Sequence, residues 1–193
     1  MDVKEPTLKE TENFYKKKEL IQKIILQTIK NKEIIYGEQA VKIRLPKHLQ
    51  RYTKDYDVYS RTPKKDAVEA EKKLDKAFGG DYFYTEPAEH KGTYKVRSRI
   101  NGEGYADFTE PHRNFGADKI KGHKYIKTKH IKDRIKEILE DKTQEFRHAK
   151  DRDTLNRLKI IEKKRYKEGT SKPKRKQMVK KNKNLWVWTR SHS

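Results

Sequence analysis

The sequence predicts an α+β fold: a small mixed or antiparallel sheet with flanking helices, followed by C-terminal helices and a basic tail. Three observations carry this. Short β-branched and aromatic segments alternate with helical stretches between residues 33 and 109. Two of the later segments are joined by Asn101-Gly102-Glu103-Gly104, which suits a hairpin turn. Beyond Pro111 the chain turns basic, with apolar residues at helical spacing. The expected division is an N-terminal helix over 1–32, a core over 33–118, a helical region over 119–168 and a basic tail over 169–193.

Taken in order, Phe14, Leu20, Ile21, Ile24, Ile25 and Ile29 form one face of an amphipathic helix. Glu33 to Tyr36 reads as a strand ending at Gly37, and Glu38 to Leu45 as a short helix stopped by Pro46. Tyr52 to Tyr59 reads as the next strand, with Asp55 and Asp57 on one face because strand side chains alternate. Thr62-Pro63 supplies a capping hydroxyl and a first-turn proline, and Gly79-Gly80 ends that helix, whose buried stripe is Ala67, Ala70, Leu74 and Phe78. Strands follow at Asp81 to Thr85, at Thr93 to Ile100 and at Tyr105 to Thr109, the last two as a hairpin. In the C-terminal region Ile131, Ile135, Ile138 and Leu139 make one helical stripe, and Phe146, Ala149, Leu155, Leu158 and Ile161 another.

At 193 residues the chain suits one compact domain with appendages. Its 50 Lys and Arg against 29 acids leave a net charge of +21, which attracts polyanions before any contact is specified. Nucleic acid is therefore the expected partner, RNA ahead of DNA. No cysteine is present, which removes disulfides and Cys-based zinc sites and fits a reducing compartment. The first residues lack the apolar core of a signal peptide, and no run reaches the roughly 18 apolar residues of a membrane span. The expectation is a cytoplasmic protein with no membrane partner.

Two carboxylates at alternate positions of a strand, with a third on a neighbouring strand, make a set of hard oxygen ligands suited to Mg²⁺. Asp55, Asp57 and Asp107 supply those residue types. Such sets serve nucleotidyl transfer, where metal ions activate a hydroxyl and neutralise a triphosphate. Asp-x-Asp alone equally describes a solvated edge strand. The context adds Gly37, in a strand-to-helix turn where backbone N–H groups can meet phosphate oxygens.

Ile35-Tyr36-Gly37-Glu38-Gln39-Ala40 and Arg51-Tyr52-Thr53-Lys54-Asp55-Tyr56-Asp57-Val58-Tyr59 resemble the glycine turn and Asp-x-Asp strand of the nucleotidyltransferase superfamily, whose fold is DNA polymerase β-like. His90 to Val96 and Ala106-Asp107-Phe108-Thr109 resemble the catalytic domain of poly(A) polymerases of poxviruses and giant viruses. Arg147 to Leu158, with Lys150, Arg152 and Asp153, is similar to the late helix of AbiEii-type toxin nucleotidyltransferases. The resemblance implies Asp55, Asp57 and Asp107 as catalytic metal ligands for Mg²⁺ or Mn²⁺, and an NTP substrate such as ATP. It implies Gly37 and Glu38 as the phosphate-side turn, and a place in the host cytoplasm or the virion if the protein is viral. One departure is plain. Where the superfamily has Gly-Gly or Gly-Ser, this chain has Gly37-Glu38, a carboxylate on the triphosphate's approach.

Lys95, Arg97 and Arg99 fall on one strand face, where they serve triphosphate or primer phosphates, or simply keep an edge soluble. His90 is a phosphate-contact candidate or an ordinary loop histidine. From Lys172 the chain carries eight Lys or Arg and no acid. Lys174, Arg175, Lys176, Lys180 and Lys181 suit phosphate backbones, while Trp186 and Trp188 suit base stacking or docking on a protein partner. Three function classes follow: a metal-dependent nucleotidyltransferase acting on a nucleic-acid or protein acceptor, a degenerate relative that binds nucleic acid or builds a virion, and a toxin-like nucleotidyltransferase.

Overall fold

The computed structural model of the chain describes residues 7–170, with side chains for 7–163. Helix α1 (Leu8–Thr28) opens on a capping box: the Thr7 hydroxyl accepts from the Glu10 N–H, and the Glu10 carboxylate accepts from the Thr7 N–H. Strand β1 (Ile34–Tyr36) runs directly into α2 (Gly37–Lys42), and a short 3₁₀ turn (Lys47–Leu49) precedes β2 (Tyr56–Tyr59). Helix α3 (Pro63–Phe78) is followed by β3 (Phe83–Pro87), β4 (Thr93–Ser98) and β5 (Gly104–Thr109). A hairpin of β6 (Ala117–Ile120) and β7 (His123–Ile126) then leads to α4 (Thr128–Glu140), a 3₁₀ turn (Lys142–Gln144) and α5 (Glu145–Thr170).

The seven strands form one sheet in the order β3-β4-β5-β2-β1-β7-β6. It is mixed: β2 and β5 run parallel, as do β1 and β7, and the other neighbours are antiparallel. This is the predicted α+β architecture. Helices α1 and α3 build the main core with the sheet: Phe14, Ile21 and Ile25 of α1 and Ala67, Ala70 and Leu74 of α3 are buried with Ile35, Val58, Val96 and Phe108. Phe14, Phe78 and Phe83 pack ring against ring, with centroids 5.2–6.0 Å apart. Among the described residues no helix is long and apolar enough to cross a membrane.

Several local expectations are corrected. The chain does not turn helical after Pro111; β6 and β7 come first, joined at Lys121-Gly122 with φ of 48° and 89°, the two left-handed residues of a tight hairpin turn. Alternation there is obscured by lysines on the exposed side. The strand expected from Tyr52 starts only at Tyr56, which leaves Asp55 just outside it. The Thr62 hydroxyl does not cap α3 but donates to Asp66, which also accepts from Ser60 and from Lys30 Nζ at 2.8 Å. The apolar stripe expected on α5 faces inward only in its later part, where Leu158 is buried and Leu155 and Ile161 are half-buried. Phe146 is 84% exposed and Ala149 is exposed, whereas His148, Asp151, Thr154 and Arg157 are buried beside Leu158. Helix α5 thus docks through polar groups as well as through Leu158, and the His148 ring bonds the Ile138 carbonyl at 2.8 Å, meeting a C-terminal acceptor of α4.

Candidate active site

One row of directly opposed residues crosses five strands: Glu86 on β3, Lys95 on β4, Asp107 on β5, Asp57 on β2 and Tyr36 on β1. Opposed residues in paired strands share a sheet face. Asp57 and Asp107 are therefore cross-strand neighbours on one face, while Val58 and Phe108, one residue further on, turn into the core with α1 and α3. Asp55 precedes the strand and is exposed, its carboxylate accepting from the Thr53 hydroxyl.

The electrostatics follow from this crowding. Burial raises the Asp57 carboxyl to about 7, the negative charges of Asp55 and Asp107 push it further in that direction, and Arg134 and Lys150 oppose them. Asp107 is also raised, by burial first; Lys95 opposes this, Asp55 adds to it and Arg97 opposes it. Lys95 Nζ lies 3.9 Å from an Asp107 oxygen. The two strand carboxylates thus want positive charge that the protein supplies only in part. Among the described residues no three His, Cys, Asp or Glu side chains stand as a ready ligand cage. The donor chemistry nonetheless fits a hard divalent cation: oxygen ligands only, on one face, with raised affinity for positive charge.

Gly37 explains how the turn approaches so closely. Its φ is +63°, and a Cβ there would meet the Asp57 Oδ2 at 1.9 Å, so both backbone conformation and space require glycine. Glu38 does not stand free on the phosphate side. Arg157 forks onto it, Nη1 to Oε1 at 2.8 Å and Nη2 to Oε2 at 3.2 Å, and Arg51 Nη2 reaches Oε2 at 3.1 Å.

The other candidates separate. Lys95 and Arg97 stay near Asp107, but β4 shifts register between Val96 and Arg97 and ends at Ser98, so Arg99 leaves the row. Arg97 pairs with Glu86 at 3.0 Å, and Arg99 with Asp81 at 3.3 Å while lying over the Tyr84 ring. His90 is an exposed loop residue. Lys174, Arg175, Lys176, Lys180, Lys181, Trp186 and Trp188 lie outside the described residues. Arg134 on α4 was not singled out from sequence, and Lys150 only within a resemblance, yet both act on Asp57. Arg134 also lies 5.9 Å from the Tyr36 ring centroid. The available signal was position: Arg134 sits three residues after Ile131 and four before Ile138, at the margin of an apolar stripe.

No protein-family model matches the chain, and no curated protein matches it. Among solved structures it is similar to the crystal structure of the Megavirus polyadenylate synthase, with 22% identity and a TM-score of 0.58. The match covers 74% of this chain and 32% of that one, so this chain spans about a third of that protein's length. The likeness concerns the fold as a whole and lends nothing specific to AbiEii-type toxins. The chain has a nucleotidyltransferase-like α+β fold, with Asp57 and Asp107 side by side on the face that α1 and α3 leave open.

Proposed function

We propose that the chain is a metal-dependent nucleotidyltransferase domain that transfers a nucleotide from an NTP to a hydroxyl of a nucleic-acid acceptor, RNA first. The observation that carries this reading is the cross-strand pair Asp57 and Asp107 with the Gly37 turn pressed against Asp57. In the transfer an acceptor hydroxyl gives up its proton to solvent, its oxygen bonds to the α-phosphorus, the bond from that phosphorus to the bridging oxygen breaks, and pyrophosphate leaves. Asp57, Asp107 and the exposed Asp55 would hold Mg²⁺ or Mn²⁺, which supplies charge neutralisation and hydroxyl activation when bound. Arg134 and Lys150 offset triphosphate charge beside Asp57, and Lys95 with Arg97 does so beside Asp107. The arginine clamp withdraws the Glu38 charge that would otherwise repel the substrate.

A second reading, a nucleotidyltransferase fold that binds nucleic acid without transfer, is favoured by Lys95, whose ammonium already gives Asp107 a countercharge. Incubation with Mg²⁺ or Mn²⁺, labelled NTPs and RNA or protein acceptors separates the two. The first reading expects labelled product that Asp57→Asn reduces by about a hundredfold or more, close to 3 kcal/mol of barrier. RNA binding with no product under any of these conditions would establish the second.

A further inference from the structure

Beyond Asp57, the same sheet face carries a column of stacked rings. Tyr36 stacks on Tyr59 with centroids 4.0 Å apart and planes 15° apart, and Tyr59 stacks on Phe115 at 4.6 Å and 9°. His112 and His130 meet the Phe115 ring edge-on, and the His130 ring accepts the Gly116 N–H at 3.2 Å, so Phe115 is held in place. The guanidinium of Arg113 lies over Phe115, 5.2 Å from its centroid, and Arg113 is exposed. The column therefore starts beside the candidate carboxylates and ends at the surface under a cation.

A recess of about 320 Å³ opens at that end, lined by Tyr59, Phe115, Arg61, Arg113, Lys124 and Glu33. Its chemistry is specific. The three named cations are exposed, while Glu33 is 1% exposed and one of its carboxylate oxygens has no hydrogen-bond partner. An aromatic wall and clustered cations suit a ligand with a flat ring and a phosphate. The volume lies at the lower end of small-molecule sites, about 300–1,000 Å³, which suits one nucleotide and not several.

We infer that this recess is a subsite for a single nucleotide unit, with its base stacked on the outer face of Phe115 in place of the exposed Arg113 guanidinium and its phosphate among Arg61, Lys124 and Arg113. Resting on the transferase reading, it deepens that reading. Tyr59 is two residues along β2 from Asp57, about 7 Å of strand, so a nucleotide here lies within a nucleotide or two of the carboxylates. That distance fits a residue of the acceptor strand near its reacting end. A free mononucleotide shares the chemistry, and the test distinguishes the sources.

The test measures binding, not transfer, with the full chain in wild-type and Asp57→Asn forms. A short single-stranded oligoribonucleotide and adenosine monophosphate are titrated separately against each form, against Phe115→Leu and Arg113→Ala in both, and against Lys76→Ala on α3 as a control away from the recess. Phe115→Leu is expected to weaken binding by at least about fivefold, the lower end of a stacked base, with Lys76→Ala changing little. Dependence on Phe115 for the oligonucleotide alone identifies a strand residue; the same dependence for the monophosphate identifies a mononucleotide site. Either supports the subsite. If Phe115→Leu fails to fold, the exposed Arg113→Ala and Lys124→Ala decide, with a loss of at least about threefold expected for the pair. Unchanged affinity in these variants, or a loss equal to that of Lys76→Ala, overturns the inference. Transfer activity with Phe115-independent binding leaves the function standing and removes the subsite, and Phe115-dependent binding without transfer does the reverse.

Discussion

At Gly37 two requirements fall on one residue: a left-handed backbone, and a bare α-carbon against the Asp57 carboxylate. Alanine there strains the backbone by about 1–2 kcal/mol and displaces the Asp57 side chain. Gly37→Ala is therefore expected to lower transfer far more than it lowers unfolding stability, and a proportionate loss of both would refute the close-approach argument. Gly37 and Asp57 were legible from sequence because a glycine turn and period-two alternation are local signals. The fate of Glu38 was not, because its partner Arg157 is 119 residues away. Glu33 makes a different prediction. Burial, the leading cause, raises its carboxyl from the ordinary 4.5 to about 7 although one oxygen accepts from the Lys30 N–H. Below pH 4.5 the folded and unfolded forms are both protonated and Glu33 costs nothing. Between 4.5 and 7 the unfolded chain loses the proton that the native state keeps, so stability falls as pH rises, and above 7 the full cost remains. Glu33→Gln is expected to remove this slope and to be the more stable protein at pH 8 by on the order of 1–3 kcal/mol. Urea unfolding of both proteins at pH 5 and pH 8 checks it; a constant difference between them would rule out Glu33 as the cause.

Helices α2 and α5 show why element identity was easier to read than element packing. Apolar periodicity located α1, α3 and α4, whose inner faces are indeed apolar, with Phe14, Leu74 and Ile135 buried. On α5 the same rule selected Leu158, which is buried, but also Phe146 and Ala149, which are exposed, because this helix turns His148, Asp151, Thr154 and Arg157 inward. Hydropathy cannot see a buried charge whose partner lies elsewhere in the chain. The small hairpin β6 and β7 was missed for a related reason: Lys119, Lys121 and Lys124 mask a strand pattern whose buried members are Tyr125 and Ile126. The α2 to α5 junction joins Val41, Leu45 and Leu158 in a small apolar cluster beside the clamp of Glu38 by Arg157 and Arg51. Arg157→Ala leaves Glu38 mostly buried with one partner, so a loss of about 2–3 kcal/mol is expected, below the 3–5 typical when a buried carboxylate is wholly orphaned. Glu38→Gln added to Arg157→Ala should recover part of it. A double-mutant cycle by denaturant unfolding reads the coupling, and strictly additive losses would show that the ion pair does not hold α5.

For the molecule as a whole, the question is where an excess of 50 basic over 29 acidic residues is available to a polyanion. On the strands it is largely committed: Lys95 faces Asp107, Arg97 holds Glu86 and Arg99 holds Asp81. A cation already paired releases few counterions from nucleic acid, because its own partner must first be displaced. Residues from Lys172 onward hold eight cations and no acid. Non-specific affinity should therefore be steeply salt-dependent and should come mainly from this C-terminal stretch, while the sheet face contributes positioning. On single strands the logarithm of affinity falls with the logarithm of salt by about 0.7 per phosphate neutralised. If Lys174, Arg175, Lys176, Lys180 and Lys181 each meet a phosphate, changing all five to Gln should flatten the slope by roughly 3 to 4, whereas changing Lys95, Arg97 and Arg99 to Gln should flatten it by less than about 1. Titrations of labelled single-stranded RNA across low to moderate salt provide both slopes. A slope indifferent to the five C-terminal changes but sharply reduced by the strand changes would mean that RNA displaces the strand ion pairs and lies across the sheet, next to Asp57 and Asp107.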